Sequence, residues 1–370
     1  MRFLTADYLF PLHIPPLKEG VLQISEKGEI IAIFENRNEV PQDKLEIFDG
    51  VLCPGFVNAH CHLELSHLLG IAEKSKGFFD FVSSSIHKRD DFTKEEIQAS
   101  IEKAEQEMIT NGIVAVGDIC NTKDTLSQKQ KWNLQYYNFI EIFGVQNEQS
   151  EKIIEEGIDL RDRFRAIGQS ATIVPHAPFS VPPKLMQLIA NNFDAKDHTL
   201  SIHLQETEAE NNLFEQKKGL LFDWLNNIAS TADIWENRNS SKDVLEELEN
   251  QKILLVHNTF AKKQDLTKNY YCTCPKANLY IENNLADYSI FNPEKLCVGT
   301  DSLASNNTLS ILEELKIIKE NSNFDLNMLL KIACKNGAEA LGFEKLGTFG
   351  KGKNPGVNLI QNLEKVEVIA

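Results

Sequence analysis

The chain predicts a (β/α)8 barrel with a small β-sandwich beside it, built from both termini. Two observations lead there. Between residues 51 and 340, short apolar, β-favouring runs alternate with longer charged stretches of helical period. Outside those limits the runs are short and β-type, broken by Gly, Asn and Pro, with no helical period. The expected division is a barrel over 51–340 and two halves of the sandwich over 1–50 and 341–370.

In order, the first segment holds β-type runs at 21–24, 29–34 and 45–48. The expected barrel strands are 51–60, 112–119, 134–144, 171–177, 199–204, 252–257, 269–274 and 295–300. Helical intervals between them include 94–110, 148–166, 183–192, 208–228 and 309–320. The polar, acidic stretch 231–250 reads as a surface helix. An open doubly wound sheet is the competing architecture, but no Gly-x-Gly-x-x-Gly opens a helix here. The closing runs 347–352, 356–360 and 366–369 are too few to fold alone, so they are expected to pair with the N-terminal strands.

Composition narrows the function. At 370 residues, 42% hydrophobic and 25% charged, the chain has the make-up of a soluble globular protein. A formal charge of −16 argues against nucleic acid as a partner, because a phosphate backbone calls for a basic stripe. No run of eighteen apolar residues marks a membrane span, and the first residues lack the apolar core of a signal peptide. Seven cysteines do not make a disulfide framework, and Cys53, Cys120, Cys297 and Cys334 read as buried thiols. A cytoplasmic protein acting on a small molecule is expected, and self-association into a homo-oligomer is compatible with these features.

The chemistry gathers at expected strand ends. His60 and His62 stand where the first strand stops, and in extended chain residues i and i+2 point to one side. Alone they are half of a metal site or two structural histidines. His203 ends the fifth strand, His257 the sixth and Asp301 the eighth, and active sites of such barrels lie at that end. His60, His62, His203 and Asp301 together make three imidazoles and one carboxylate, a set suited to one divalent transition metal, zinc first, with iron or manganese as alternatives. A metal so held makes hydroxide available near neutral pH, and Asp301 is placed to take the proton. The alternative for Asp301 is a cap on the following helix. Strand four carries no lysine that could bridge two metals, so one metal is favoured.

Glu206, three residues past His203, is a candidate general acid toward a ring nitrogen; its alternative is an acid at a helix N-terminus. His257 is a candidate to orient the attacking oxygen, or a satisfied core histidine. His176, between prolines, is a substrate contact or a turn residue. Cys272-Thr-Cys274 lacks a second Cys pair at zinc spacing and reads as buried thiols. Phe78, Phe79 and Phe81 read as core packing under a lid, with stacking on a planar base as the alternative.

Pro54-Gly-Phe-Val-Asn-Ala-His-Cys-His62, His176-Ala-Pro178, His203-x-x-Glu206, His257 and Gly299-Thr-Asp301-Ser-x-Ala-Ser-Asn-Asn307 resemble, in order and spacing, the mononuclear-metal deaminase branch of the amidohydrolase superfamily. That branch includes cytosine, guanine, adenosylhomocysteine and aminodeoxyfutalosine deaminases and triazine hydrolases. The resemblance implies His60, His62, His203 and Asp301 as metal ligands, Glu206, His257 and Asp301 as the proton-handling catalytic set, and His176 and Glu206 as substrate contacts. His62-Leu-Glu64-Leu-Ser66 and His203-Leu-Gln-Glu-Thr-Glu-Ala-Glu210 are similar to aminodeoxyfutalosine deaminases of menaquinone biosynthesis, which brings in Glu64 as a substrate residue. The Arg-Gly pair that follows the histidines in adenosylhomocysteine deaminases is missing. The expected activity is hydrolytic deamination of an aminopurine or nucleoside-like ring with release of ammonia. The alternatives are chlorohydrolysis or ring opening at a similar carbon, and a non-catalytic barrel.

Overall fold

Gly55 divides the first expected strand. In the computed structural model, which describes residues 1–88, 91–194, 197–228, 234, 238–248 and 251–370, the stretch 51–60 is two strands rather than one. A Cβ at Gly55 would lie 2.7 Å from the carbonyl oxygen of Pro355 and 2.4 Å from Val114, so only glycine lets the chain turn there. Val51–Pro54 pairs with terminal strands, whereas Phe56–Cys61 enters the parallel sheet. A continuous apolar run hides this break because both pieces are buried.

Eight parallel strands follow, numbered here β1 (Phe56–Cys61), β2 (Ile113–Cys120), β3 (Gln135–Ile142), β4 (Ser170–Pro175), β5 (Leu200–Leu204), β6 (Ile253–His257), β7 (Tyr270–Thr273) and β8 (Leu296–Val298). They form two four-stranded sheets, β1 to β4 and β5 to β8, each in sequential order. Nearly every strand residue is buried, as expected of parallel strands covered on both faces. Backbone hydrogen bonds join the sheets at both ends. The His203 N–H donates to the His176 carbonyl at 2.9 Å; the Thr300 and Asp301 N–H groups both donate to the His60 carbonyl at 3.1 Å. Cys61 and Asp301 form a parallel bridge at that second seam.

Helices between the strands follow local signals. Lys94–Thr110 starts with a capping box: the Glu96 N–H donates to Thr93 Oγ1 at 3.2 Å, and the Thr93 N–H donates to Glu96 Oε2 at 2.8 Å. Such a cap stabilises a helix by about 1 kcal/mol. Ile101, Ala104 and Met108, at helical spacing, are its buried stripe. The expected helix 208–228 is two helices, Glu208–Gln216 and Leu220–Ile228, because Lys217 (φ 52°) and Gly219 (φ 101°) turn left-handed between them. The expected surface helix 231–250 falls partly outside the described residues; within it Ser241–Leu248 is helical and buries Val244, Leu245 and Leu248.

The terminal segments form two further sheets. One joins Arg2–Thr5, Val21–Ile24, Ile30–Phe34 and Leu45–Ile47; the other joins Tyr8–Leu9, Leu17–Lys18 and Val51–Pro54 to Val357–Gln361 and Lys365–Val368. The C-terminal strands therefore pair with N-terminal ones. Leu4, Leu22 and Ile24 of one sheet meet Leu9, Leu52, Val357 and Leu359 of the other in one apolar cluster. The expected run 347–352 is not a strand: Gly347 and Gly352 take positive φ, and Phe349 packs into that cluster.

Gly299, just past β8, lies against His60, so a Cβ there would sit 2.6 Å from the His60 carbonyl oxygen and 2.8 Å from the His60 Cβ. Gly299→Ala should lower the unfolding free energy by about 1–3 kcal/mol, read from urea denaturation. An unchanged midpoint would contradict this seam.

Candidate active site

The strand ends bring the candidate residues together. His60 Nε2 and His62 Nε2 are 3.2 Å apart, and they lie 3.6 and 3.4 Å from Asp301 Oδ1. The His203 ring stands 4.9 Å from that of His60 and 5.5 Å from that of His62, centroid to centroid. His203 Nδ1 must carry its proton, because its partner at 2.9 Å is the His176 carbonyl oxygen, which can only accept. Its Nε2 is left with a lone pair. His257 is held likewise, Nδ1 to Asn278 Oδ1 at 2.8 Å, with Nε2 3.6 Å from Glu206 Oε1. His60 and His62 make no hydrogen bond through Nδ1.

Backbone strain collects at the same place. Gln205, His257, Asn258 and Asp301 all have positive φ, between 51° and 67°. Non-glycine residues seldom adopt this region, and clusters of it are typical of functional sites. Asp301 is no helix cap: the next helix, Ile311–Glu320, is preceded by Ser310. Instead its Oδ2 accepts a hydrogen bond from the Ser305 hydroxyl.

Burial separates the protonation states. It pushes His60 and His62 down to about 3 and also lowers His257 and His176, so the imidazoles stay neutral with lone pairs available. It pushes Glu206 up to about 8, keeping that carboxyl protonated at neutral pH. Burial alone would raise Asp301 too, but hydrogen bonding with His60 and the nearby His62 and His257 rings hold it well below the usual carboxylate range. Neutral nitrogens converging on one ionised carboxylate oxygen are a donor set for a dication. His60, His62 and His203, and again His60, His257 and Asp301, place ligand atoms within 4.8 Å of one another. The residues present fit a divalent metal.

A cavity of about 630 Å³ opens over this cluster. His62, His176, His203, Glu206, His257 and Asp301 reach it. His176 is fixed by Nδ1 to Ser180 Oγ at 2.7 Å. Phe78 and Phe81 line the cavity and also pack with Phe179, Leu221 and Leu225 in an apolar cluster, so the aromatic run is both packing and wall. Glu64 is 1% exposed and lies outside the cavity lining. Its Oε2 accepts from the Asn121 and Thr122 N–H groups at 3.1 and 2.9 Å and from the Thr122 hydroxyl at 2.8 Å. Cys272 and Cys274 are buried free thiols.

Several residues here escape sequence reading. Glu141, at the end of β3, takes a hydrogen bond on Oε2 from Asn121 Nδ2 at 3.0 Å and places Oε1 3.3 Å from His203 Nδ1. Asp118 Oδ1 accepts the Leu63 N–H at 2.8 Å, next to His62, while its Oδ2 is paired with the fully buried Lys129. A polar residue inside an apolar strand run, such as Asp118 or Glu141, was the available signal.

A family model described as the amidohydrolase family matches residues 51–369, and the chain belongs to that family. Adenosine deaminase of Helicobacter pylori is 26% identical over 326 residues, covering 81% of this chain and 77% of that protein. Aminodeoxyfutalosine deaminase of a Nitratiruptor species is 24% identical over 365 residues, covering 93% and 87%. Among solved structures, Helicobacter pylori aminofutalosine deaminase with methylthio-coformycin superimposes with a TM-score of 0.81 at 22% identity, over 99% of this chain and 93% of that one. A zinc-bound adenosine deaminase from Xanthomonas campestris gives 0.71 at 19% identity, over 98% and 87%. These structures share the amidohydrolase fold.

Glu210, on the helix after β5, is buried, and burial pushes its carboxyl up to about 8. The folded protein thus keeps a proton that the unfolded chain releases near the ordinary glutamate value of 4.5. Its contribution is fully present below the unfolded value and is lost as pH rises through the folded one. In chelator, Glu210→Gln should flatten the fall of stability between those limits by about 1.4 kcal/mol per pH unit, measured by urea unfolding. A slope equal to that of the wild type would contradict this assignment.

Proposed function

We propose that this amidohydrolase removes the exocyclic amino group of a 6-aminopurine nucleoside-like substrate by hydrolysis, releasing ammonia. The observation that carries the reading is the meeting of Glu206, His257 and Asp301 at one end of a nucleoside-sized cavity, beside His60, His62 and His203. His60, His62, His203 and Asp301 are the proposed metal ligands, and three imidazoles with a carboxylate suit zinc. A divalent metal held there supplies a water acidified to near-neutral pKa.

The chain's residues then divide the proton work. Asp301 takes the water's proton on its carboxylate, the group 3.6 and 3.4 Å from His60 and His62. His257, with Nδ1 tied to Asn278, offers Nε2 as an acceptor that orients the attacking oxygen. Glu206 delivers its carboxyl proton to the ring nitrogen beside the reacting carbon, so the adding oxygen leaves no ring anion. Asp301 then passes that proton to the amino group, the added hydroxyl returns a proton to Glu206, and collapse expels ammonia and leaves a carbonyl. His176 faces the substrate, with Ser180 fixing its ring. Glu64 serves the substrate from behind, through the backbone of Asn121. Two carboxyls in two protonation states are the split that acid–base chemistry at one pH requires.

The architecture that goes with this reading is one closed eight-stranded barrel and a small sandwich from both termini, divided as expected at 50 and 340 except that Val51–Pro54 joins the sandwich side. The seam bonds at His60 and His203 support the first, and the shared apolar cluster supports the second. No helix among the described residues is long and apolar enough to cross a membrane, and the seven cysteines are buried free thiols, which supports a cytoplasmic site of action.

Ammonia release from zinc-loaded enzyme should be seen with at least one of adenosine, 5′-methylthioadenosine, 5′-deoxyadenosine and aminodeoxyfutalosine. Glu206→Gln should lower kcat about 10²–10⁴-fold while retaining the metal. Ammonia from none of them, or an unimpaired Glu206→Gln, would overturn the deaminase reading.

A further inference from the structure

The cavity holds one more built feature, on the wall away from the reacting atoms. Asn121 follows β2 directly, the first residue past Cys120. Its backbone N–H donates to Glu64 Oε2, which also takes the Thr122 N–H and hydroxyl. The Thr122 hydroxyl in turn accepts the Asp124 N–H at 3.3 Å. The Asn121 side chain is tied as firmly: Nδ2 donates to the Glu141 carbonyl oxygen and to Glu141 Oε2, both at 3.0 Å. A carbonyl oxygen can only accept, so this contact settles which end of the amide is which. Oδ1 therefore points away from Glu141.

Oδ1 accepts no hydrogen bond among the described residues, yet it is not shut in, and Asn121 lines the cavity. Glu141 differs: its Oε1 is buried, so Glu141 tethers the amide and is no contact itself. An acceptor fixed before the ligand arrives costs little ordering on binding. It also selects for a donor, because a ligand without one displaces water and leaves the oxygen unpaired.

The place of Asn121 limits which donor it meets. His203 keeps Nε2 for the metal side and has Nδ1 3.3 Å from Glu141 Oε1. Asn121 lies beyond Glu141 again, on Oε2. It also belongs to the sheet of β1 to β4, whereas Glu206 follows β5 and His257 ends β6 in the other. A 6-aminopurine nucleoside has two kinds of donor, its amino group and its sugar hydroxyls, because its unsubstituted ring nitrogens accept. The amino group reacts beside Glu206 and Asp301. We propose that Asn121 Oδ1 accepts a hydrogen bond from a sugar hydroxyl, which makes Asn121 a specificity-determining residue held in place by Glu64 and Glu141. This rests on the deaminase reading and adds to it a residue that discriminates among sugars.

The test assays ammonia from zinc-loaded enzyme on adenosine and on 2′-, 3′- and 5′-deoxyadenosine. Removing one of the three hydroxyls should lower kcat/KM about three- to tenfold, the range of one neutral hydrogen bond. In Asn121→Ala that same removal should cost nothing further, bringing the two substrates within about twofold of each other, while the other two ratios stay as in the wild type. A general disturbance of the site would not erase one ratio alone. Asn121→Leu, which keeps the volume, is the second variant should the alanine protein not fold. Three hydroxyls that the wild type ignores, or a preference that the variant keeps, would overturn the assignment while leaving deamination intact. Ammonia from no nucleoside would overturn both.

Discussion

The His60 carbonyl oxygen accepts two backbone hydrogen bonds, from Thr300 and from Asp301, each at 3.1 Å. The candidate site depends on this junction. It joins the first parallel strand to the residues just beyond the eighth, across 240 positions of chain, and sets the Asp301 carboxylate beside the His60 and His62 rings. The backbones approach closely because Gly299 has no side chain to separate them. Asp301 must adopt a positive φ to turn its carboxylate inward, a strain that the surrounding bonds over-determine.

Around that junction a layer of buried polar groups holds the rings. The His176 carbonyl fixes His203, Asn278 fixes His257, and Asp118 receives the Leu63 N–H just beyond His62. Asp118 is itself neutralised by Lys129, whose ammonium also donates to Asn138 at 2.7 Å and sits over the Tyr136 and Phe164 rings. Charges this deep cost several kcal/mol of desolvation apiece, so they stabilise only while every partner is present. Their value is geometric: they keep the metal-side residues in one arrangement. The same burial sets the chemistry, keeping imidazoles neutral and Glu206 protonated while Asp301 stays ionised.

Much of this was legible in the chain because strands and ligands follow short-range rules. Seven of the eight parallel strands fall within two residues of their expected limits, the first being cut short at Gly55, and helices 94–110 and 183–192 match at both ends. His60, His62, His203, His257 and Asp301 stand out because a polar residue closing an apolar run is a local signal. The break at Gly55 is not local: it follows from the approach of Pro355, 300 residues away. Likewise Glu64 carries no mark that its oxygen would hold the backbone of Asn121 and Thr122 rather than face the cavity. Glu141 and Asn121 meet only because β2 and β3 are neighbours. Periodicity reports which face a residue takes, whereas the partner across a seam is decided by the fold.

On the proposed assignment the strand-end junction assembles one metal site from His60, His62, His203 and Asp301. Metal content of protein purified without chelator, read by plasma emission alongside amino-acid analysis, tests it most directly. One divalent transition-metal ion per chain is expected, lost when Asp301 or His203 is replaced by alanine. A stoichiometry of zero or two in the wild type, or an undiminished content in either variant, would contradict it.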